Sequence, residues 1–192
     1  TGEYNRNRPF ILTSSPSMDI LISSNLERLI YLSTGCDSAK TAQLMEDLRT
    51  KGVYEVSDDM RQFMADFVAG FAEEPEVFQT IRDLKEEAGY VLDPHTAVAS
   101  AVYKQYAEKT GDTRKTVIAS TASPYKFAPN VMKALGIDVE DQDVFTVIDQ
   151  LSEISGVPEP RAIREVRNAA IRHSEVCEIS EMKKIVEDFL FV

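Results

Sequence analysis

The strongest constraint on the fold is a pattern that recurs through the first half of the sequence, in which apolar residues three and four positions apart run up to a glycine. This spacing places the apolar side chains on one face of an α-helix, and a glycine just past the last of them is typical of a helix end. The pattern predicts short packed helices that stop at Gly35, Gly52, Gly70 and Gly89. The Ser-Asn-Leu-Glu run at residues 24–27 has the form of a capping box, so we expect the first helix to begin there.

The second half of the sequence alternates strand-like and helical segments. Residues 90–92 and 115–120 are short apolar or β-branched runs, and a helical pattern follows each of them. A further strand is expected near residues 176–179. Strands and helices in alternation predict an α/β fold with a small parallel sheet. We therefore expect a mainly helical segment, 1–89, and an α/β segment, 90–192.

The charge balance argues against two classes of partner. The sequence has 21 Lys and Arg residues against 32 Asp and Glu residues, which gives a formal net charge of −11. A field of this sign repels nucleic-acid phosphates and anionic lipids. No apolar run is long enough to cross a bilayer. We therefore expect no nucleic-acid partner and no membrane partner.

The cysteines indicate neither a disulfide framework nor a metal site. Cys36 and Cys177 are far apart and no C-x-x-C pair occurs, which favours a reducing, cytoplasmic location. His173 and Cys177 would share one face of a helix, but a structural zinc site needs four ligands and no others lie nearby in the sequence. We predict that the chain binds no metal.

The turn after the strand at residues 115–120 is the candidate ligand site, because open parallel sheets bind ligands beyond the carboxyl ends of their strands. It carries Ser120, Thr121, Ser123 and Lys126. The structural alternative is that a tight turn needs small residues and that Ser123 only caps the next helix.

His95 also follows a predicted strand, at the start of a helix. It could polarise a ligand oxygen there, or it could simply complete the helix cap. The sequence contains no G-x-G-x-x-G, no G-x-x-x-x-G-K-[ST] and no G-x-S-x-G motif, and most of its 8 glycines follow predicted helices. It therefore predicts neither a phosphate-binding loop nor the nucleophile of a hydrolase.

Four short segments of the sequence, two near its start and two further along, share their order and spacing with one protein family. They are Ser-Pro-Ser-Met-Asp-Ile-Leu at 15–21, Ser-Ser-Asn-Leu-Glu-Arg-Leu at 23–29, Pro-His-Thr-Ala-Val at 94–98 and Ser-Thr-Ala-Ser-Pro-Tyr-Lys-Phe at 120–127. In order and spacing they resemble the C-terminal part of threonine synthase, and the similarity extends through residues 180–190. The resemblance implies the tryptophan-synthase-β-like fold, fold type II, of enzymes that use pyridoxal phosphate. It also implies a lyase of threonine biosynthesis, which converts O-phosphohomoserine and water into L-threonine and phosphate.

The same resemblance implies that part of the active site lies outside this sequence. In such enzymes a lysine forms a Schiff base with pyridoxal phosphate and a glycine-rich loop holds its phosphate, both upstream of the region matched here. The sequence also opens at Thr1 without an initiator Met. We therefore expect a C-terminal fragment that has no catalytic residue of its own, needs the missing N-terminal part of the same chain, and is inactive alone. The alternative is a non-catalytic, acidic helical module that binds another protein.

One cofactor contact is implied residue by residue. In related enzymes a Ser or Thr at the end of a strand hydrogen-bonds the pyridine nitrogen, and a Lys follows five positions later; Thr121 and Lys126 have this spacing. Thr121 is therefore the expected cofactor-binding residue, and Ser120 replaces it if the register shifts by one. Asp19 and Asn25 lie in segments that resemble the family's signature near the substrate, and their roles stay open.

Overall fold

Helices dominate residues 2–172 and 174–191, the part of the chain that this computed structural model describes. In chain order they are α1 (Leu26–Ser33), α2 (Ser38–Thr50), α3 (Asp58–Phe63), α4 (Glu74–Ala88), α5 (Pro94–Thr110), α6 (Ala128–Ala134), α7 (Val144–Ser155), α8 (Arg161–Arg167) and α9 (Met182–Leu190). Short 3-10 turns lie at Pro16–Met18, Pro124–Phe127 and Ile179–Glu181. Within these described ranges, no helix is both long and apolar enough to span a membrane.

The chain divides into two compact units, Thr1–Val157 and Pro158–Val192. The first contains α1 to α7 and the second contains α8 and α9. In the second unit, Arg167 donates a 2.8 Å hydrogen bond to the carboxylate of Glu159, which ties α8 to the segment before it. This boundary differs from the division at residue 89 that the helix and strand pattern predicts, and that division stays a prediction.

The helix pattern read from the sequence is largely confirmed, with two differences at helix ends. α4 ends at Gly89, whose positive φ of 69° is the left-handed conformation that glycine adopts without strain. The capping box at residues 24–27 is wrong: α1 begins at Leu26, and Asn25 at its N-cap has helical backbone angles and makes no side-chain capping bond. α3 stops at Phe63, well before Gly70, because the apolar stripe beyond it lies on the surface, with Phe67 64% exposed.

The parallel sheet predicted from the sequence is wrong, since the sheet in the described chain is two-stranded and antiparallel. It pairs β1 (Glu3–Asn5) with β2 (Val53–Glu55), in a register that sets Tyr4 opposite Tyr54. The two tyrosine rings stack with centroids 4.8 Å apart. Burial raises the pKa of the Tyr54 phenol above its usual range. These strands hold the first residues of the chain against the core below α1 to α3, which consists of Ile30, Leu48, Tyr54, Val56 and Met60.

The strands expected at residues 90–92, 115–120 and 176–179 do not form. A strand needs neighbours for its backbone hydrogen bonds, and the described residues supply none beside these segments. Val117 is 94% exposed and Val176 is 96% exposed, so neither apolar run is covered. The β-branched composition of these runs therefore reflects a strand preference that this chain alone does not satisfy.

A second core, made by α4 to α7, positions the candidate site. α4 packs along α5, and α6 packs against both α4 and α7. The largest side chains that become fully buried here are Ile81, Val131, Met132, Val147 and Leu151. This packing fixes the N-terminus of α5 and the turn that leads into α6.

Candidate functional site

The N-terminus of α5 is built around one buried carboxylate. Asp93, which is 1% exposed, caps the helix by accepting hydrogen bonds from the backbone N–H of His95 at 2.9 Å and of Thr96 at 3.3 Å. It also accepts from the Thr96 hydroxyl and lies 3.2 Å from His95 Nδ1. A carboxylate has about four lone-pair sites, so these partners occupy Asp93 fully.

His95 takes part in this cap through one ring nitrogen only. Because a carboxylate can only accept, Nδ1 is the donor in the contact with Asp93. The side chain is only 9% exposed, and Nε2 is buried with no hydrogen-bond partner among the described residues. The ring instead packs against Phe127, with centroids 4.6 Å apart. The contacts therefore favour the capping alternative for His95 and add a packing contact to the following turn.

The turn before α6 is fixed at its far end. Ser123 caps the 3-10 turn Pro124–Phe127 by accepting from the backbone N–H of Tyr125 at 3.3 Å, so its expected capping role is confirmed. The Tyr125 hydroxyl donates to the backbone carbonyl of Val157 and lies 3.2 Å from Ser155 Oγ. Because Tyr125 is buried, these contacts hold the turn against the end of α7.

Thr121, the expected cofactor contact, and Ser120, its alternative, make different contacts. The Thr96 hydroxyl donates to Asp93, and its oxygen also lies 3.2 Å from Ser120 Oγ, which places Ser120 beside the Asp93 cap. Thr121 is exposed, and its hydroxyl has no hydrogen-bond partner within the described part of the chain. Lys126 is also exposed, with Nζ 5.4 Å above the centre of the Phe127 ring. The structure therefore brings Ser120 into the α5 network and leaves Thr121 open to solvent.

Asp19 and Asn25, the other residues of interest, lie in the first segments of the chain. Asp19 closes its own loop by accepting from the backbone N–H of Thr13 at 2.8 Å and from its hydroxyl at 2.7 Å. Ser14, the residue after Thr13, is buried and donates through Oγ to the Glu74 carboxylate at 3.0 Å. This bond ties the loop to the start of α4. Asn25 is exposed at the start of α1. These contacts account for the loop's structure without assigning a ligand to it.

The described residues offer no metal centre. No group of three or more His, Cys, Asp or Glu side chains in residues 2–172 and 174–191 comes close enough to hold an ion. Cys36 is exposed and Cys177 is partly buried, and neither is in a disulfide. His173, half of the weak pair considered from the sequence, lies outside the described residues.

The donor set of the turn fits one end of pyridoxal phosphate. A pyridine nitrogen accepts a hydrogen bond, and Thr121 presents a hydroxyl whose proton no described residue uses. The glycines that could form a phosphate loop are used elsewhere: Gly35, Gly89, Gly111, Gly136 and Gly156 have positive φ at or just beyond helix ends. Thr121 therefore suits the ring end of the cofactor, and these five glycines form no phosphate loop.

Thr96 and Asp93 were missed as members of this site by the sequence analysis. The Asp-Pro dipeptide at residues 93–94 does predict an N-cap, which the structure confirms. A link from Thr96 to a residue 24 positions away has no local signal, because it depends on how α5 packs beside the turn.

Comparison with known proteins locates the turn inside a known family region. Residues 96–176 match a family model described as threonine synthase, C-terminal. A human protein named threonine synthase-like 1 is 39% identical over 139 residues, which cover 71% of this chain and 18% of that protein.

Two solved structures are similar over almost the whole chain. Threonine synthase from Brucella melitensis, a crystal structure with PLP bound, is 30% identical to this chain, with a TM-score of 0.69. The similarity covers 99% of this chain and 36% of the Brucella chain. Yeast threonine synthase is 26% identical to this chain, with a TM-score of 0.77. The similarity covers 98% of this chain and 38% of the yeast chain. The chain thus spans a little over a third of each structure.

The fold is therefore part of the tryptophan-synthase-β-like, type II fold of pyridoxal-phosphate enzymes. Within that class, the resemblance of the sequence to the C-terminal part of threonine synthases is confirmed.

Proposed function

We propose that this chain is the C-terminal portion of a threonine synthase, a carbon–oxygen lyase that uses pyridoxal phosphate. The reaction converts O-phosphohomoserine and water into L-threonine and phosphate, and O-phosphohomoserine is the small-molecule partner of the whole enzyme. The observation that carries this proposal is the turn at residues 120–127, which lies within the matched region and presents an unpaired hydroxyl on a fixed scaffold. In this proposal the enzyme is cytoplasmic, which agrees with two cysteines, Cys36 and Cys177, that lie far apart in the sequence.

In this proposal Thr121 donates a hydrogen bond to the pyridine nitrogen of the cofactor. The bound cofactor supplies an electron sink for the substrate's amino-acid carbons, and a neutral hydroxyl partner leaves the ring nitrogen unprotonated. Thr121 suits this role because its hydroxyl is exposed and has no partner among the described residues. Ser120 is the alternative partner, and Thr96 already holds it.

The remaining groups of the active site come, in this proposal, from an N-terminal part of the same protein. That part would supply the lysine that binds the cofactor and the glycine-rich loop that holds its phosphate. The division of labour agrees with the use of the glycines here at helix ends.

The isolated chain is expected to show no threonine synthase activity. Positioning at the ring end alone cannot replace the missing lysine and phosphate loop. The purified chain is incubated with pyridoxal phosphate and O-phosphohomoserine, and phosphate and threonine are measured against a blank without protein. The full-length protein is the positive control. Steady turnover by the chain alone contradicts this part of the proposal.

In the full-length enzyme, Thr121→Val is expected to weaken cofactor retention. The change keeps the side-chain shape and removes the donor, and leaving a buried acceptor unpaired costs roughly 1–3 kcal/mol. This corresponds to about a five- to 150-fold rise in the dissociation constant of the cofactor, which equilibrium dialysis measures from its visible absorbance.

Ser120→Ala distinguishes the two registers of the turn. If Thr121 is the partner, Ser120→Ala has the smaller effect on cofactor retention. A full effect from Ser120→Ala together with none from Thr121→Val assigns Ser120 instead. If neither change alters retention, the turn is only a helix cap and the proposed cofactor site is wrong.

The runner-up function, a non-catalytic module that binds another protein, rests on one surface. α9 exposes Val186, Phe189 and Leu190, of which Phe189 is 73% exposed. The upstream gene sequence decides between the two functions, because only the enzyme requires a cofactor-binding lysine and a glycine-rich loop there.

A further inference from the structure

The N-terminus of α5 contacts the turn 120–127 at two points. Thr96 is 4% exposed and reaches Ser120 at the start of the turn, at 3.2 Å. His95 packs on Phe127 at its end, with ring centroids 4.6 Å apart. Both residues are held in turn by Asp93. An ordinary helix cap satisfies only its own helix, so the contacts across to the turn go beyond capping.

We propose that Thr96 is a positioning residue for the cofactor-binding turn, and that it acts through Ser120 while Asp93 fixes its orientation. This inference rests on the proposed function. The Thr96 hydroxyl is locked because its oxygen contacts both the Asp93 carboxylate and Ser120 Oγ. Ser120 is thereby held in place, and its neighbour Thr121 is set at the surface of the turn, where its hydroxyl is free to donate to the ring.

The geometry explains why a hydroxyl at residue 96 is used. The side chain is buried, so a hydroxyl without partners would be costly there. Thr96 meets this requirement with one contact inside its own helix cap and one to a segment 24 residues away. The second contact is what couples the helix to the turn, and it is the part of the arrangement that a purely structural cap does not need.

The test compares Thr96→Val, Ser120→Ala and the double variant in the full-length enzyme, with cofactor retention measured by equilibrium dialysis. Thr96→Val and Ser120→Ala should each raise the dissociation constant of pyridoxal phosphate about three- to tenfold, the effect of one neutral hydrogen bond. Because both act through the same contact, the double variant should be no worse than either single variant. The proposal is overturned if the two changes multiply each other's effect on the dissociation constant in the double variant, or if neither change affects it alone.

Conservative and control variants separate positioning from stability. Thr96→Ser restores the hydroxyl and should bring retention back to within about twofold of wild type, whereas Thr96→Val should not. Thr80→Val, which removes a partly exposed hydroxyl of α4 that donates to the carbonyl of Glu76, should leave retention unchanged. A Thr96→Ser variant as defective as Thr96→Val overturns the proposal. If Thr96→Val does not fold, Ser120→Ala on the exposed turn must still show the three- to tenfold loss.

The same variants distinguish failure of this inference from failure of the proposed function. The coupling between Thr96 and Ser120 is also measured by thermal unfolding of the apo-enzyme in the same double-variant cycle. A coupling present in unfolding, without cofactor binding by the wild-type enzyme, refutes the proposed function and with it the positioning role. Cofactor binding by the wild type without any coupling between the two residues refutes the positioning role alone.

Discussion

Replacing Asp93 by alanine is expected to lower the free energy of unfolding of this chain by about 2–4 kcal/mol. Loss of an N-cap costs about 1 kcal/mol, and the buried donors that lose their common acceptor add roughly 1–3 kcal/mol together. Asp93 is 1% exposed, and its removal strands His95 Nδ1 and the Thr96 hydroxyl as well as two backbone N–H groups. Urea unfolding followed by circular dichroism measures the change.

Asp143→Ala is the matched control for this variant. Asp143 caps α7 with the same geometry, accepting from the backbone N–H of Phe145 at 2.9 Å and of Thr146 at 3.3 Å, but it lies on the surface. Its replacement should cost only about 1 kcal/mol, because water can satisfy the donors that it leaves. Equal losses for Asp93→Ala and Asp143→Ala would show that the buried network adds nothing beyond capping.

Ile81→Ala is expected to lower the free energy of unfolding by about 2–5 kcal/mol. Ile81 is 0% exposed and lies in α4, the helix that packs against both α5 and α6. Truncation removes apolar contacts and leaves a cavity that three packed helices cannot easily close. The same urea titration gives the loss as a shift in the midpoint at constant slope.

Ile171→Ala provides the comparison with the same residue type. Ile171 is 90% exposed, so its truncation removes almost no buried surface and should change stability by less than about 0.5 kcal/mol. A loss at Ile171 as large as that at Ile81 would contradict the burial that places the core on α4.

The helices were predictable because their signals are local. Gly89 stops α4 and Asp93 with Pro94 starts α5, and each signal depends only on residues within one turn of the helix end. The capping box at residues 24–27 is wrong because the N-cap of α1 is Asn25 rather than Ser24, and Asn25 has a helical backbone and makes no side-chain capping bond.

The strands were harder to predict because a strand is stabilised by neighbours rather than by its own residues. The run at 115–120 has strand composition but no partner in the described chain, whereas Glu3–Asn5 and Val53–Glu55 pair although their composition gives little signal. Antiparallel pairing of segments 50 residues apart depends on tertiary packing, which no local pattern records.

The candidate site was predictable only in part, for a related reason. Residue types at the turn and the resemblance to threonine synthase pointed to Ser120 and Thr121. Which of the two hydroxyls is already engaged depends on Thr96, and that contact exists only once α5 lies beside the turn. The sequence therefore predicted the location of the site and not its internal connections, and the role of Thr121 stays a prediction.

The unpaired segment at residues 115–120 has a consequence for handling the protein. Val117 lies in the open with its backbone unmatched, and such an edge is a ready template for pairing with an identical segment of another molecule. Arg114 and Lys115 precede it. Charges of one sign beside an apolar run repel the same charges on another molecule and so oppose intermolecular strand pairing. Removing these charges, for instance by Lys115→Val, should promote aggregation at high concentration, which light scattering would detect.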